Sequence, residues 1–555
     1  MSRAPRIVIV GGVAGGASAA ARARRLSEEA EIILLERGPQ VSFANCGLPY
    51  HLGGVIPERS SLLVQTPERL RARFALDVRV RSEVTAIDPG RRSLNVKNLE
   101  TGESYQQSYD ALVLSPGAAP IRPPLPGIDD PRVFTLRNLE DMDGILAALP
   151  SEGQGRVLIV GAGYIGLELA ESFRHRGLEV CLLERLPHVL GVADADMVAP
   201  LQAELRRNGV DLRLGISATA FGGCGDQLLV RLEGGESLSC DLAILCVGVR
   251  PETRLAQEAG LALGSTGGIL VDDQMRTSDP HIFAVGDAIE VRDFVSEAPA
   301  LIPLAGPANR QGRIAAEVIL GRDSRYKGTQ GTAVCKVFNL TFAMTGMTEA
   351  ALQRRGMSFR KIYIYPPQHA TYYPGAQPMS LKLLFEPDLG RILGAQAVGP
   401  EGVDKRIDVL AVAQRAGLTV LDLEDLELCY APPFGSAKDP INMAGFVAAN
   451  VLRGDVDLWE PEELSSLAGS QLLLDVRSPA ENANGSIPEA TCIPVDTLRA
   501  RLAELPRDKE ILVFCQVGLR GYLAARILAQ HGYRVRNLSG GYRRYQQWQA
   551  THIIR

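Results

Sequence analysis

Short, unbroken runs of apolar residues alternate with helix-forming segments over the first three hundred residues of the chain. The run at residues 7–10 is followed by a glycine-rich turn at 11–16, an Ala/Arg-rich segment ending at Leu26, and a second apolar run at 31–36. The same order recurs at residues 156–184. Runs of this length suit parallel strands that are buried on both faces. The pattern therefore predicts two βαβ units of the dinucleotide-binding kind.

The two turns carry the glycines that such a unit needs. One glycine makes the tight turn, another lets the backbone approach a pyrophosphate, and a third lets the helix pack closely on the strand. The helix N-terminus then offers free N–H groups and a partial positive charge to phosphate. The second turn, Gly161-Ala162-Gly163-Tyr164-Ile165-Gly166, matches Gly-x-Gly-x-x-Gly in full. Val13 takes the middle glycine position of the first turn, which reads Gly11-Gly12-Val13-Ala14-Gly15-Gly16.

An acidic residue closes the second strand of each unit, where it would accept hydrogen bonds from ribose hydroxyls. Glu36 and Glu184 follow the last glycine of their turns by 20 and 18 residues. Two such units in one chain suggest a flavin that stays bound and a nicotinamide that visits. The strand ending at Gly286-Asp287 supports a flavin, because its carboxylate can bond the ribityl chain. Gly117 follows a strand that would return between the two nucleotide domains.

Composition and charge narrow the class of protein. Of the 555 residues, 46% are hydrophobic and 22% are charged, as in ordinary globular proteins. The net charge of -5 gives no overall field for nucleic acid, and no apolar stretch approaches the roughly 18 residues that a membrane helix needs. No signal peptide precedes the first strand, which favours a cytoplasmic protein. The cysteines and histidines form no cluster with metal-ligand spacing, so no metal is expected.

Two cysteines, Cys46 and Cys515, lie in polar loops flanked by glycine. The first belongs to the segment Ser42-Phe43-Ala44-Asn45-Cys46-Gly47-Leu48-Pro49-Tyr50, and later segments read Tyr372-Tyr373-Pro374-Gly375 and Tyr430-Ala431-Pro432-Pro433-Phe434-Gly435. With the glycine turns, these motifs make residues 1 to about 450 resemble the pyridine nucleotide-disulfide oxidoreductases, and among them the coenzyme A disulfide reductases. Most of that family carries a Cys-x-x-x-x-Cys pair, whereas His51 stands at the second position here. The resemblance implies one redox cysteine, which must react as a thiolate and so needs a lowered pKa.

The resemblance also assigns roles to residues around the two nucleotides and the substrate. FAD would contact Gly11, Gly12, Ala14, Gly15, Gly16, Glu36, Arg37, Gly117, Gly286 and Asp287, and NADH (or NADPH) would contact Gly161, Gly163, Gly166 and Glu184. The substrate pocket would contain Ser42, Asn45, Asn309 and Arg310, with Arg22 and Arg25 on the phosphates of coenzyme A. Arginine suits phosphate because its planar fork binds two oxygens at once. Tyr430 and Tyr372, favoured over Tyr373, would arrive from the partner subunit of a homodimer and protonate a departing thiolate.

The C-terminal segment resembles a rhodanese domain, a sulfur carrier. Its motifs lie at residues 472–477, 485–488, 511–520 and 538–542, although Gly485-Ser486 stands where that family usually has Gly-His. Cys515 is predicted to begin a six-residue loop to Arg520, with a helix starting near Gly521. Backbone N–H groups of such a loop form an anion cradle. Arg520 would hold an anionic donor, while Asp475 and Arg477 would brace the loop.

These patterns predict an α/β protein with two Rossmann-like dinucleotide-binding domains, an α+β dimerisation domain and a C-terminal α/β rhodanese domain. The predicted boundaries are an FAD domain at 1–150 and 256–325, an inserted NAD domain at 151–255, a dimerisation domain at 326–452, a linker at 453–462 and the rhodanese domain at 463–555.

The predicted function is NADH-dependent reduction of sulfur–sulfur bonds, with coenzyme A persulfide, polysulfide or coenzyme A disulfide as the acceptor. No nucleic acid or membrane partner is expected. One alternative is a flavin NADH oxidase or peroxidase that cycles through a cysteine sulfenic acid. Those enzymes resemble this chain but place a His where Ala14 stands. A second alternative is a thiosulfate-type sulfurtransferase with a degenerate flavoprotein half.

Overall fold

The structure, a computed structural model, describes residues 4–151, 153–467 and 470–552. It divides into two compact units, Met1–Leu183 with Ile216–Gly331, and Glu184–Gly215 with Thr332–Arg555. No helix in the described ranges is both long and apolar enough to cross a membrane. The helices, in chain order, are α1 Ala14–Leu26, α2 Leu48–Leu52, α3 Pro67–Phe74, α4 Leu139–Ala148, α5 Tyr164–His175, α6 Ala195–Arg207, α7 Arg254–Glu258, α8 Ala305–Ile319, α9 Glu349–Arg354, α10 Val403–Ala416, α11 Pro440–Leu452, α12 Pro479–Ala483, α13 Val495–Leu498, α14 Leu519–Gln530 and α15 Gly541–His552.

The first unit is built on two parallel sheets, which confirms the two predicted βαβ units. Strand order in the first sheet is Ile282–Ala284, Ala111–Leu114, Arg6–Val10, Glu31–Leu35 and Asp77–Arg79. The second sheet has the order Glu179–Glu184, Arg156–Val160, Leu242–Leu245 and Val133–Phe134. Its central strands are fully buried and lie parallel, with Val160 opposite Leu183 and Leu245. Among the described residues, four smaller sheets accompany them. Three are antiparallel, and their strands are Ser82–Asp88, Ser93–Asn98 and Ser104–Ser108; Ala118–Pro120 and Val249–Pro251; and Ala218–Cys224, Gln227–Leu232 and Ser237–Cys240. In the fourth, Ile289–Arg292 pairs in parallel with Ile269–Leu270 and antiparallel with Pro299–Ala300.

Helices α1 and α8 cross at a point where no side chain separates their backbones. A Cβ atom added to Gly312 on α8 would lie 2.1 Å from the carbonyl oxygen of Gly15 on α1. Backbones can approach this closely only where glycine leaves room. The crossing fixes α8 against the N-terminal turn of α1, where the first glycine loop ends.

The second unit contains two further sheets, together with α6 and the strand Val210–Leu214 from its first segment. An antiparallel sheet has the order Ala333–Val337, Leu340–Gly346, Ile392–Gly399, Ser380–Phe385 and Arg360–Ile364. A parallel sheet has the order Leu458–Trp459, Val535–Leu538, Glu510–Phe514, Gln471–Asp475 and Thr491–Cys492. The strand Leu458–Trp459 lies inside the segment predicted as a linker. Trp459 is fully buried, and its indole N–H donates to the carbonyl of Val513 at 3.1 Å, so this part of the segment is packed into the rhodanese sheet.

A cluster of buried charges joins the rhodanese sheet to the antiparallel sheet within this unit. Lys382, only 1% exposed, lies 2.8 Å from Asp194 and 2.7 Å from Glu349. Arg544 of α15 lies 3.4 Å from Asp196 and 3.0 Å from Glu462. Removing one partner of such a cluster leaves an uncompensated buried charge, which costs about 3–5 kcal/mol.

The α1–α8 crossing makes a stability prediction. Gly312→Ala is expected to lower the midpoint of thermal unfolding, because its methyl group would meet the Gly15 carbonyl and overpacking costs about 1–3 kcal/mol. Gly306→Ala on the same helix is the matched control, since the nearest atom to its added Cβ is 3.8 Å away. Both changes gain helix propensity of about 1 kcal/mol, so equal midpoints for the two variants would contradict a close crossing.

Candidate active sites

The first glycine loop is held by backbone contacts that exclude any side chain. Gly11 has a φ of +95°, and a Cβ there would lie 2.1 Å from the carbonyl oxygen of Ser115. A Cβ on Gly16 would lie 1.8 Å from the carbonyl oxygen of Gly11. These are the tight-turn and helix-packing roles that the sequence predicts for the first and last glycines.

The carboxylate of Glu36 is anchored to this loop. Its Oε2 accepts a hydrogen bond from the Gly12 N–H at 2.7 Å, and its Oε1 accepts one from the Gly38 N–H, also at 2.7 Å. Among the described residues no side chain caps the N-terminus of α1, which begins at Ala14. An uncapped helix N-terminus beside a fixed carboxylate is the arrangement that receives a dinucleotide. The residues present therefore fit FAD.

The second loop repeats this geometry. Gly161 has a φ of +105°, and a Cβ on Gly166 would lie 2.0 Å from its carbonyl oxygen. A Cβ on Gly163 would meet nothing within 4 Å of the described atoms, so the loop faces open space at the N-terminus of α5. Glu184 ends its strand and is oriented by the Leu186 N–H, which donates to Oε1 at 2.9 Å. These residues fit a nicotinamide dinucleotide.

Four further residues of the flavin prediction lie near the ends of strands in the first unit. Gly117 follows the strand Ala111–Leu114 with a φ of +74° and open space around its Cα. Gly286 donates its N–H to Gln311 at 2.8 Å, which ties the Gly286–Ala288 turn to α8. Burial raises the pKa of Asp287. Arg37 is half exposed, 3.6 Å from Glu252.

Cys46 lies in a short 3-10 turn, Asn45–Gly47, directly before α2. The turn is connected to the first glycine loop, because the Ser42 N–H donates to the carbonyl of Gly12 at 2.8 Å. Ser42 itself has a φ of 49°, a backbone conformation that non-glycine residues adopt at a cost. His51 donates from Nδ1 to the carbonyl of Ile56 at 2.6 Å.

The surroundings of Cys46 favour its neutral thiol. The residue is exposed, yet the protein atoms around its sulfur raise the thiol pKa, and the carboxylates of Glu168 and Asp287 raise it further. The backbone hydrogen bond at Cys46 acts in the opposite direction but is weaker. The lowered pKa expected from the sequence is therefore not supplied by the protein's own charges. Burial of the sulfur and, after it, the two nearby carboxylates explain the difference.

Glu168 is a residue of this site that sequence reasoning missed. It lies on α5 two positions after Gly166, and burial raises its pKa to about 7. The hydroxyl of Tyr50 on α2 donates to Glu168 at 3.1 Å. One turn further along α5, a Cβ on Gly53 would lie 2.8 Å from the Cβ of Ser172. The helix of the second glycine loop thus packs directly on the segment that carries Cys46. The position of Glu168, an acidic residue two positions after the last glycine of that loop, was the only sign in the sequence of its role.

The residues predicted to bind coenzyme A divide into paired and exposed side chains. Arg22 is mostly buried and donates from Nε to Glu317 on α8 at 2.9 Å. Arg25 is exposed. Asn309 and Arg310 are exposed on α8, and the Ser18 hydroxyl donates to Asn309 Oδ1 at 2.7 Å.

The predicted tyrosines form a pair in the second unit. The hydroxyls of Tyr372 and Tyr430 lie 2.7 Å apart, although both rings are exposed, Tyr372 by 73%. The hydrogen bond between the two hydroxyls raises the pKa of Tyr372. Tyr373 instead packs the edge of its ring on His369, with 5.6 Å between ring centroids.

Cys515 follows the buried strand Glu510–Phe514 and is itself buried. Its Sγ accepts a hydrogen bond from the Gly518 N–H at 3.1 Å, within the predicted anion cradle. Helix α14 begins at Leu519 rather than near Gly521, so Arg520 lies in its first turn and the loop is shorter than predicted. The helix can start there because Gly518 adopts a φ of +105°.

The loop is braced as the sequence predicts. Arg477, almost fully buried, binds Asp475 at 2.7 Å and reaches Gln516 of the loop at 3.1 Å. From the other side, the Tyr542 N–H donates to the carbonyl of Cys515 at 2.7 Å.

Comparison with known proteins places the chain in a family. Residues 5–312 match the pyridine nucleotide-disulphide oxidoreductase family, residues 332–439 match its dimerisation domain, and residues 460–548 match the rhodanese-like domain. The chain belongs to the pyridine nucleotide-disulphide oxidoreductase family. It is thus a flavin-dependent oxidoreductase with a fused rhodanese domain, and both the predicted family and the predicted fold class are confirmed.

Three relatives are similar over most of the chain. A coenzyme A disulfide reductase of Staphylococcus aureus is 38% identical over 445 residues, 80% of this chain and 100% of the relative. The crystal structure of reduced Bacillus anthracis CoADR-RHD is 50% identical with a TM-score of 0.96, covering 98% of both chains. An NAD-dependent persulfide reductase from A. fulgidus is 35% identical with a TM-score of 0.90, covering 97% of this chain and 100% of that one.

The Cys46 site makes a prediction about thiol reactivity. Glu168→Gln is expected to lower the pKa of Cys46, because it removes a carboxylate that opposes the thiolate. The effect should be largest above pH 7, where Glu168 is ionised. The rate of alkylation at Cys46 by iodoacetamide, followed against pH by peptide mass spectrometry, measures this pKa, since only the thiolate reacts.

Glu58→Gln is the control for this experiment. It removes an exposed carboxylate from the segment that follows α2 and should leave the pH profile unchanged. Identical profiles for the two variants would contradict an electrostatic effect of Glu168 on the thiol.

Proposed function

We propose that this oxidoreductase uses NADH to reduce sulfur–sulfur bonds, with coenzyme A persulfide as the preferred acceptor and coenzyme A disulfide or polysulfide as secondary ones. The observation that carries this proposal is the combination of one flavin-side cysteine, Cys46, with an intact rhodanese loop around Cys515. A disulfide reductase alone has no need of a sulfane-sulfur carrier. The relatives named for coenzyme A disulfide and for persulfide support the same substrate class.

Cys46 would react directly with the substrate because His51 occupies the position of a second redox cysteine. Its thiolate attacks the outer sulfur of coenzyme A persulfide, the substrate's S–S bond breaks, and coenzyme A leaves as a thiolate that takes up a proton. The proton that coenzyme A takes up comes from the transferred sulfur, so Cys46 holds a persulfide anion. Two electrons drawn from NADH and one proton then convert this anion back to the Cys46 thiolate and hydrosulfide. Bound FAD supplies two-electron chemistry between a nicotinamide and sulfur.

Five of the residues proposed to bind coenzyme A are exposed or lie close to Cys46 in sequence, and one already forms an ion pair. Because Arg22 is engaged with Glu317, Arg25 is the more accessible phosphate ligand of the pair. Ser42 and Asn45 flank Cys46 in sequence, and the exposed Asn309 and Arg310 on α8 would complete the pocket.

We also propose that the protein acts as a homodimer. The match to a family dimerisation domain supports this assembly. The hydroxyl pair of Tyr372 and Tyr430 would serve the Cys46 of the second subunit and protonate the departing thiolate.

The NADH oxidase alternative has a specific similarity in its favour. A water-forming NADH oxidase from Lactobacillus brevis is 30% identical with a TM-score of 0.78, but it covers only 81% of this chain. Oxidase chemistry would leave the rhodanese domain without a role, and Ala14 offers no side chain to act on peroxide. A sulfurtransferase with an inert flavoprotein half is disfavoured because both glycine loops keep their geometry.

Reciprocal cysteine variants test the proposal. Cys46→Ser should retain FAD, since the Gly12–Glu36 contact is untouched, and lose NADH-dependent reduction of every sulfur substrate. Cys515→Ser should lose turnover mainly with polysulfide and least with coenzyme A persulfide. Cys492→Ser, a half-buried thiol in the same domain, is the control for Cys515.

The assay is steady-state NADH oxidation with coenzyme A persulfide, coenzyme A disulfide, polysulfide, oxygen and peroxide side by side. Turnover with oxygen or peroxide alone would replace the proposal with the oxidase alternative. Wild-type turnover of persulfide by Cys46→Ser would show that Cys46 is not the redox centre.

A separate prediction concerns the nicotinamide. The Glu184 carboxylate is held by the Leu186 N–H, where it would bind free ribose hydroxyls and repel a 2′-phosphate. The kcat/KM for NADH should therefore exceed that for NADPH. Glu184→Ser should lower the ratio of these two kcat/KM values by about tenfold, which corresponds to about 1.4 kcal/mol of discrimination between the two cofactors. Glu179→Gln, at the exposed start of the same strand, is the control. A wild-type preference for NADPH would refute the role of Glu184.

A further inference from the structure

The cation beside Cys515 is already paired. Arg520 donates from Nη1 and Nη2 to the two carboxylate oxygens of Glu481, at 2.8 and 2.6 Å. Glu481 is itself fixed, because Ser478 donates to Oε2 from its N–H at 3.0 Å and from its hydroxyl at 2.9 Å, in a capping box at the start of α12. The ion pair holds the pKa of Glu481 at about 2, so the carboxylate is ionised throughout the neutral range.

The positive charge of Arg520 beside Cys515 is therefore already neutralised by the Glu481 carboxylate. The charge of Arg520 faces both the Cys515 thiol and the Glu481 carboxylate. A thiolate, a guanidinium and a carboxylate together carry one negative charge. A donor that brings a sulfonate to Arg520, as thiosulfate does, would have to displace the Glu481 carboxylate or accept repulsion from it.

Exposed apolar side chains follow Cys515 along the chain. Val517 lies in the loop, and Leu519 and Leu523 lie one turn apart on α14, with exposed fractions of 38%, 61% and 47%. Residues four apart share one helix face. Leu519 and Leu523 therefore form a continuous apolar strip at the start of α14, directly after Gly518 of the cradle. Such a strip favours methylene groups next to the reacting sulfur.

We propose that Cys515 accepts sulfane sulfur from polysulfides and from persulfides whose carbon chain next to sulfur is uncharged, and that it discriminates against thiosulfate, with Glu481 as the specificity-determining residue. This inference rests on the proposed role of Cys515 as a sulfur carrier and names its donor class. In the transfer, the Cys515 thiolate attacks the outer sulfur of R–S–SH, the donor S–S bond breaks, a Cys515 persulfide anion forms, and the proton leaves with R–SH.

The test measures sulfur transfer to cyanide, which releases thiocyanate and regenerates the Cys515 thiolate. The full-length holoenzyme carries Cys46→Ser, and NADH is omitted. The thiocyanate formed then reports sulfur transfer at the rhodanese site alone. The donors are thiosulfate and the persulfide of 2-mercaptoethanol. Glu481→Gln removes the charge but keeps an amide that can serve in the capping box. Glu504→Gln is the matched control, because Glu504 binds Arg501 at 2.6 Å in the same domain.

The parent enzyme is expected to use the alkyl persulfide in preference to thiosulfate. Glu481→Gln should raise kcat/KM for thiosulfate by at least about tenfold and change that for the alkyl persulfide by less than about twofold, because only the dianion meets the added positive field. Glu504→Gln should change neither. An unchanged thiosulfate value, or an equal rise with both donors, would overturn the role of Glu481 while leaving Cys515 as a carrier. Absence of transfer from either donor would overturn both.

Discussion

The close approach of backbone to backbone at glycine is the constraint on which the first unit depends. The helix of each nucleotide unit can reach its strand only because Gly16 and Gly166 have no Cβ, since one would lie within about 2 Å of the carbonyl oxygen of Gly11 or Gly161. Gly312 repeats the arrangement between α8 and α1. These approaches set where the helix N-termini point, and the Ser42 N–H then connects the Cys46 segment to the Gly12 carbonyl. The position of the reactive thiol thus follows from the same contacts that shape the phosphate site.

The two reactive cysteines are treated differently by their surroundings. Cys515 accepts a hydrogen bond from the Gly518 N–H and lies beside the charge of Arg520. At Cys46, burial of the sulfur and then the Glu168 carboxylate favour the neutral thiol. Activation of Cys46 therefore has to come from what binds beside it, whereas the contacts around Cys515 are already in place. This division suits a carrier that must accept sulfur at any time and a redox thiol that should react only with its site filled.

The sequence predicted the parts of the sites that local pattern determines. Both glycine loops, the strand ends at Glu36 and Glu184, and the two loop cysteines follow from spacing over a few residues. The pairing of Arg22 with Glu317 joins segments 295 residues apart, so no local pattern could show that Arg22 is engaged. Some signals were present but unused. Ser478-x-x-Glu481 is a capping-box signature, although only the fold shows that its acidic residue also holds Arg520.

The attachment of the rhodanese domain bears on how sulfur leaves Cys515. A Cβ added to Gly540 would lie 2.8 Å from the Cβ of Tyr363 in the antiparallel sheet and 3.3 Å from the ring of Tyr365, and the Tyr363 N–H donates to the Ser539 hydroxyl at 3.2 Å. Next in sequence, a Cβ on Gly541 would lie 2.4 Å from the carbonyl oxygen of Cys515. The loop that carries the thiol therefore packs on the neighbouring domain, and the buried ion pair between Arg544 and Asp196 on α6 adds to this attachment. The thiol is thus held at a fixed place, and transfer of its sulfur to coenzyme A would give the persulfide proposed above as the substrate of Cys46.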